Sequence, residues 1–309
     1  MDTNSSHVEF NPSFSILGSN YECLKRQRHL EQHKLHTTLI SVFNIAFCFM
    51  AIAGNTAVFL AIIKTRSLHL PAYVLLASLA LSDCAVGFMA QPAFALTHLT
   101  GMHGFSTTYE FLCERFSITI YFLCTNSFFT LTAIGLDRLI ALQLHMRYAS
   151  VVTIRRAILA ALSVTSCAVL LAGVWHWKLI TKKMVSAQIG LILLSNFAIY
   201  LKIYSIVRRH QIQIHQFQPQ VNHGRMWGLI RLKKTAVNTF QVFVLMACCY
   251  TPHMILMTSG NYRFTARLIT STIILLNSSL NPLMCCWRLR DLRSAVKQLF
   301  HDWELNSAR

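Results

Sequence analysis

Seven stretches of this chain are long and apolar enough to cross a membrane, and they constrain its fold more than any other feature. Crossing a hydrocarbon core as a helix takes about 20 predominantly apolar residues. Windows at 37–63, 71–97, 110–142, 157–177, 184–207, 235–259 and 264–287 meet that requirement. Of the 309 residues, 54% are hydrophobic and 13% charged, whereas soluble domains carry about a quarter charged residues. The mean hydropathy is +0.46. The expected fold class is an all-α membrane protein, a seven-transmembrane helix bundle, with no repeat array or second domain.

The formal net charge of +17 does not point to nucleic acid, because the basic residues sit between apolar blocks rather than along one face. That charge suits lipid headgroups instead. Seven crossings put the termini on opposite sides, and Lys and Arg decide which side is which. One set of connections holds Lys64, Arg66, Arg147, Arg155, Arg156, Arg208, Arg209, Arg225, Arg231, Lys233, Lys234, Arg288, Arg290, Arg293 and Lys297. The other set is poorer, despite Lys25, Arg26, Arg28, Lys178, Lys182 and Lys183. The positive-inside tendency then places the N-terminus outside and the C-terminus in the cytoplasm, in a multi-pass protein of the plasma membrane.

The expected organisation is an extracellular tail (1–36), a membrane domain (37–287), and an amphipathic helix with a short cytoplasmic tail (288–309). Residues 1–36 contain no apolar signal-peptide core, so the first span is expected to act as signal anchor. Asn4-Ser5-Ser6 is a glycosylation sequon on the outer side, and such short motifs also arise by chance. Asn277-Ser278-Ser279 has the same pattern inside a span, out of reach of that machinery. From Arg288 to His301, Leu289, Leu292, Val296, Leu299 and Phe300 recur at helical spacing with Arg290, Arg293 and Lys297 on other faces. That pattern predicts a short amphipathic eighth helix on the inner membrane surface.

Eight of the ten cysteines, Cys48, Cys84, Cys124, Cys167, Cys248, Cys249, Cys285 and Cys286, fall inside apolar stretches, where a thiol acts as a small hydrophobe. Only Cys23 and Cys113 lie where an oxidising compartment can join them. No metal-ligand spacing appears. No nucleophile, base or metal cluster converges on a pocket, so an enzyme is not expected.

Several polar residues sit where lipid makes them costly. A charge near the midplane costs at least about 2.5–3.5 kcal/mol on insertion scales, so it survives mainly when it faces protein or water. Asp83 is such a residue, about 18 Å along the second span counted from Pro71. Asn55, Ser127, Asn277, Ser278 and Asn281 reach similar depth. They make either an oxygen-rich pocket for a small cation or a plain interhelical cluster worth about 0.6 kcal/mol per contact; chemistry alone leaves both open. Asp137 and Arg138 close the charge-free run from Phe116 to Leu136, either as an ordinary interfacial pair or as one whose rupture frees a guanidinium fork. Pro252 and Pro282 each remove a backbone donor within a span and predict kinks, whether architectural or used as hinges.

These residues also carry a resemblance. Gly54-Asn55, Leu79-Ala80-Leu81-Ser82-Asp83, Asp137-Arg138-Leu139, Cys249-Tyr250-Thr251-Pro252 and Asn277-Ser278-Ser279-Leu280-Asn281-Pro282 occur one per span and in order. They resemble the helix signatures of rhodopsin-like (class A) G-protein-coupled receptors, with a flavour nearest the melanocortin, cannabinoid and adenosine branch. The resemblance implies a sodium pocket at Asp83, Ser127, Asn277 and Asn281, in which the ion favours the inactive state. It implies no other cofactor. By the same resemblance Asp137 and Arg138 form the switch that meets a heterotrimeric G protein, and Pro252 and Pro282 are the hinges. Cys113 matches the outer end of a third span that the family ties to its second outer loop. That loop has no cysteine in this chain, so the resemblance leaves two readings open, a Cys23–Cys113 disulfide or two free thiols.

The chain departs from the pattern at Leu139 and Cys285, where the family has Tyr, and at Tyr250, where it has Trp. The hydroxyl lost at Cys285 helps the family hold its active state. A receptor-like protein that dimerises without signalling is therefore an alternative reading, and a secondary transporter is a further one. The family's ligand pocket maps to Ile120, Tyr121, Cys124, Met184, Tyr250, His253, Met254, Met257, Ser271 and Leu275. Amine receptors place Asp at Ile120 and opsins place Lys at Leu275, so the implied ligand is small and not a protonated amine. Lys178, Lys182, Lys183, Arg263 and Arg267 either steer an anion to the mouth or form a solvated rim. From Val207 to Lys234 there is no Ser or Thr, and the tail offers only Ser307, so weak phosphorylation-dependent arrestin recruitment is expected.

Overall fold

A computed structural model describes residues 28, 32–144, 147–177, 179–216, 223–259 and 264–307. Asn4, Cys23, Lys178 and Arg263 lie outside the described residues, as do the side chains of Lys182, Arg231, Lys233 and Lys234. The chain forms α1 (Lys34–Lys64), a 3-10 turn (Arg66–Leu68), α2 (Pro71–Met102), α3 (Ser106–Leu144), one turn at Tyr148–Val151, α4 (Ile154–His176), α5 (Lys182–Gln216), α6 (His223–Ser259), α7 (Phe264–Arg288) and α8 (Arg290–Ser307). Six of these helices are long and apolar enough to span a membrane, and α6 carries a shorter apolar stretch at Phe243–Ser259. The architecture is a seven-transmembrane bundle followed by an eighth helix.

Local chemistry sets the helix ends. Pro71 opens α2 at a position where its missing N–H costs nothing. Thr153 caps α4, its hydroxyl accepting from the backbone N–H of Arg156 at 3.4 Å. Helices α5 and α6 run beyond the apolar windows 184–207 and 235–259 because Arg, Lys and Gln propagate a helix as well as apolar residues do. Within α2 the turn at Val86–Ala90 is a π-turn. Pro92 follows it, in the first turn of the regular helix beyond.

Lipid supplies no hydrophobic drive between helices, so close packing and interhelical hydrogen bonds must hold the bundle together. Gly54 permits the closest approach: a Cβ there would lie 2.7 Å from Pro282 Cγ on α7. Gly87, in the π-turn, does the same against α1, where a Cβ would meet Ile52 Cγ1 at 2.8 Å and the Cys48 carbonyl at 3.1 Å. A buried polar seam runs beside these contacts. Asn44 Nδ2 donates to Thr272 Oγ1 at 3.0 Å, Ser279 Oγ to the Phe47 carbonyl at 3.0 Å, and Gln91 Nε2 to Ser279 Oγ at 3.3 Å.

One apolar core joins α3, α5, α6 and α7 through Phe128, Leu131, Ile203, Met246, Tyr250 and Ile274. A second ties α8 to the inner ends of α1 and α2. Leu292 and Ala295 are buried there with Val58, Ala61 and Ile62, while Phe300 and Trp303 stay exposed. The eighth helix is thus docked on the bundle by its first turns as well as presenting apolar groups outward. Leu39, Phe49, Leu159, Leu170, Leu191 and Leu194 are exposed on the bundle's flanks, where soluble packing would leave them stranded and lipid would cover them.

Candidate functional site

At the end of the bundle where α4 closes and α7 opens, the expected outer end, lies a cavity of about 160 Å³. Helix α3 supplies Ile120, Tyr121, Cys124 and Phe128, and α6 supplies Tyr250, His253 and Met257. Helix α7 adds Arg267, Ser271 and Ile274, while α4 and α5 close the side with Trp175, Val185, Gln188, Ile189 and Ile192. Seven of the residues expected in the pocket therefore line it: Ile120, Tyr121, Cys124, Tyr250, His253, Met257 and Ser271.

The other three expected residues do not. Leu275 is 1% exposed and packs with Val86, Phe94, Leu123 and Leu268, because α7 turns its side chain toward α2 and α3. Met254 lies toward α5, where its sulfur would be 3.7 Å from a Cβ on Gly190. Met184 is exposed, at the first turn of α5.

Trp175 and Gln188 were not among the residues expected there. Their part in the pocket depends on α4 and α5 meeting α3, which spacing along one helix does not encode. The Trp175 ring stacks on Tyr121 with centroids 5.2 Å apart, and the Tyr121 hydroxyl donates to Gln188 Oε1 at 2.6 Å. Deeper in, Phe128 and Tyr250 meet at 4.0 Å between centroids and form the floor. His253 Nδ1 lies 3.1 Å from Thr270 Oγ1, whose hydroxyl also reaches the Arg267 carbonyl at 3.2 Å. Glu110 and Glu114, at the mouth of α3, are exposed and line no part of this cavity; Glu114 lies 4.0 Å from His176 on α4.

Beneath the floor, Asp83 is fully buried. Its Oδ2 accepts from Asn281 Nδ2 at 2.6 Å, its Oδ1 from Ser127 Oγ at 3.5 Å, and Ser278 is a further hydrogen-bond partner. Ser82 extends the cluster to Ser127 at 3.3 Å. Asn55 Nδ2 fastens α1 to the Ser278 carbonyl at 3.0 Å. Asn277 is buried on the same helix without a direct bond to Asp83 among the described contacts. The structure thus brings Asp83, Ser127 and Asn281 together and sets Asn277 beside them.

At the inner end of α3, Asp137 and Arg138 pair at 3.5 Å, with Asp137 nearly buried and Arg138 about a quarter exposed at 27%. A partner unseen in the sequence completes the arrangement: Tyr148, from the single turn after α3, donates to Asp137 Oδ1 at 2.7 Å. Burial and that bond to Asp137 hold the Tyr148 phenol well above its ordinary range, so it remains a donor throughout the physiological range. Leu139 packs against the core of α3, α5, α6 and α7, and Cys285 against that of α1, α2 and α8. Pro252 and Pro282 stand inside α6 and α7 as expected from their positions. Pro282 is buried against Gly54, whereas Pro252 is exposed. Cys113 lies at the outer end of α3, its carbonyl accepting from Ser117 Oγ at 2.8 Å.

Comparison with known proteins agrees with this layout. Residues 54–183 match the family model for the seven-transmembrane receptors of the rhodopsin family. The histamine H2 receptor of Rattus norvegicus is 26% identical over 293 residues, covering 85% of this chain and 79% of its own length. That of Cavia porcellus is 25% identical over 298 residues, covering 86% and 80%. The human alpha-1D adrenergic receptor is 28% identical over 141 residues, covering 45% of this chain and 24% of its own. None of the three is a melanocortin, cannabinoid or adenosine receptor, so the leaning toward that branch gains no support from them.

Proposed function

We propose, from the premise that this chain belongs to the rhodopsin (class A) family of G-protein-coupled receptors, that it carries a small extracellular molecule's signal to a heterotrimeric G protein. The family is one of membrane receptors and not of enzymes, so binding at one face must be converted into a change of shape at the other. The observation that carries the reading is the placement of cavity and switch on one helix. Tyr121 and Phe128 of α3 line the cavity, and Asp137 and Arg138 close the same helix at its far end. The floor contact of Phe128 with Tyr250 links α3 to α6 just before Pro252, so a ligand that displaces Tyr250 acts on α6 at its proline.

Outward movement of the inner half of α6 opens a cleft beside Arg138, and its guanidinium then exchanges Asp137 for groups on the partner. Sodium at Asp83 opposes that change. The donor set fits such an ion: Asp83 Oδ1 and Ser127 Oγ are 3.5 Å apart, the separation of adjacent oxygens on a small hard cation with bonds of about 2.4 Å. The ligand carries no positive charge, a reading supported by the lack of an acid among the described residues lining the cavity. The N-terminus faces outside, as the Lys and Arg distribution supports, and the third inner connection gives kinases no Ser or Thr from Val207 to Lys234, which keeps phosphorylation-dependent arrestin recruitment weak.

The test is basal and ligand-stimulated G-protein activation in cells, with surface expression measured in parallel. Wild type activates at least one G-protein class above background, and Arg138→Ala loses that signal at unchanged surface level. Silence of the wild type across all G-protein classes, or a signal indifferent to Arg138→Ala, would favour a non-signalling partner.

A further inference from the structure

We infer that a second cavity, between the outer ends of α3 and α4, is an accessory site for a small primary alkylammonium ion, with the ammonium on Glu114 and the apolar body against Trp175. This site is separate from the outer cavity described above and selects the opposite class of ligand.

The side cavity holds about 370 Å³. Helix α3 lines it with Glu114, Ser117 and Ile118, α4 with Trp175 and His176, and the connection to α5 with Ile180 and Thr181. Glu114 is the one formally charged side chain among these described residues. His176 faces it with Nδ1 at 4.0 Å from Oε1, too far for a hydrogen bond. Both side chains are about half exposed, at 59% and 47%, so the pair is a loose one that a ligand can enter. Arg115, the next residue on α3, is engaged over the Phe111 ring at 5.3 Å. Lys183 is exposed on α5 and does not line the cavity. Ser117 gives its proton to the Cys113 carbonyl at 2.8 Å, which leaves lone pairs for a ligand. The cavity thus sets a carboxylate, a hydroxyl oxygen and an imidazole nitrogen around one space. The three N–H donors of a primary ammonium match that set, whereas an anion would meet Glu114.

The remaining walls suit the rest of such a molecule. Ile118 and Ile180 are apolar, and the Trp175 ring attracts a nearby cation through its face. Trp175 lines both cavities, and it stacks on Tyr121 of the outer one with centroids 5.2 Å apart. An occupant of the side cavity therefore packs on the ring that also closes the outer cavity. The volume of about 370 Å³ is the share of about twelve liquid waters. It holds one ring with a short aminoalkyl arm.

The experiment uses the full-length receptor purified into lipid nanodiscs, with thermal unfolding as the readout and no G protein present. Phenethylamine, its N,N,N-trimethyl derivative and 2-phenylethanol share a ring and arm and differ in charge and in N–H donors. Phenethylamine raises the melting temperature in a saturable manner, and the other two act about tenfold or more weakly. Glu114→Gln, at an exposed position, weakens phenethylamine about tenfold or more, and Ile118→Trp, which fills the cavity, abolishes its effect. Neither residue lines the outer cavity, so these variants separate binding here from binding there. Should Ile118→Trp fail to fold, the glutamine variant and the ranking of the three probes still decide. No effect of phenethylamine at any soluble concentration, equal binding of the alcohol or the trimethyl derivative, or a Glu114→Gln protein that binds phenethylamine unchanged overturns the proposal. Because coupling plays no part in this readout, a failure here leaves the G-protein reading standing, and the converse also holds.

Discussion

Asp83 shows how a single residue can be conspicuous in the sequence while its partners are only partly readable. An acid in the middle of an apolar span has to be satisfied, and Ser127 and Asn281 answer it at 3.5 and 2.6 Å. Asn277, buried on the same helix, makes no direct bond to it among the described contacts, because the rotation of α7 brings Asn281 rather than Asn277 to the carboxylate. Replacing Asp83 with Asn removes the charge that a sodium ion needs and keeps the shape. The expected outcome is that sodium no longer lowers basal activity; an undiminished sodium effect in the variant would place the ion elsewhere. Asp137→Asn weakens the hold on Arg138 while leaving a side chain that Tyr148 can still reach. Basal activation rises in that variant, read as nucleotide exchange on the G protein in membranes at matched receptor density. The acid–guanidinium pair was visible in the sequence, but Tyr148 was not. It comes from a separate turn that only the folded chain brings within 2.7 Å of Asp137.

The helices themselves were legible because lipid enforces long apolar runs, and their contacts were less so. Seven windows found the seven helices. The extensions of α5 to Gln216 and of α6 back to His223 escaped, since hydropathy reports where lipid is and not where a helix stops. The approach of α1 to α7 belongs to this scale. Gly54→Ala puts a methyl group 2.7 Å from Pro282 Cγ, and proline, being rigid, cannot give way as a long side chain can. The two helices must part, at a cost of about 1–3 kcal/mol. A lower melting temperature in detergent, partly recovered by the second change Pro282→Ala, is the expected signature; an unchanged melting temperature would mean that α1 tolerates the shift. Trp175 belongs to this scale too, since the pocket closes only where α4 lies against α3.

For the whole molecule, the order of marked spans was enough to give the bundle and its resemblance to rhodopsin-family receptors, and the outer cavity was mostly legible through α3, α6 and α7. Orientation is a property of the complete chain in its membrane. Asn4 tests it: enzymatic removal of N-linked sugars shifts the protein's mass if the N-terminus is outside, and an Asn4→Gln variant shows no such shift. A glycan lost only in the variant fixes the topology, whereas an epitope on the N-terminus that is reachable only after permeabilising the cells would reverse it. The π-turn at Val86–Ala90 bears on how this chain can be compared with its relatives. A wide turn holds one residue more than a regular one, and each residue advances a helix by about 100°. Gln91, Phe94 and Thr97, which are 0–2% exposed, face inward because the wide turn takes up that extra residue. Against a relative with a regular turn there, matching by equal numbering would pair each inward side chain with a neighbour that faces lipid. Deleting Met89, which is exposed, should let the wide turn close to a regular one while Asp83, Gln91, Phe94 and Thr97 keep facing inward, and surface labelling of cells should find the variant at the plasma membrane; retention inside the cell would mean that the wide turn is needed for folding. Contacts borrowed from relatives along this stretch are therefore sound up to Ala85 and shifted by one beyond it.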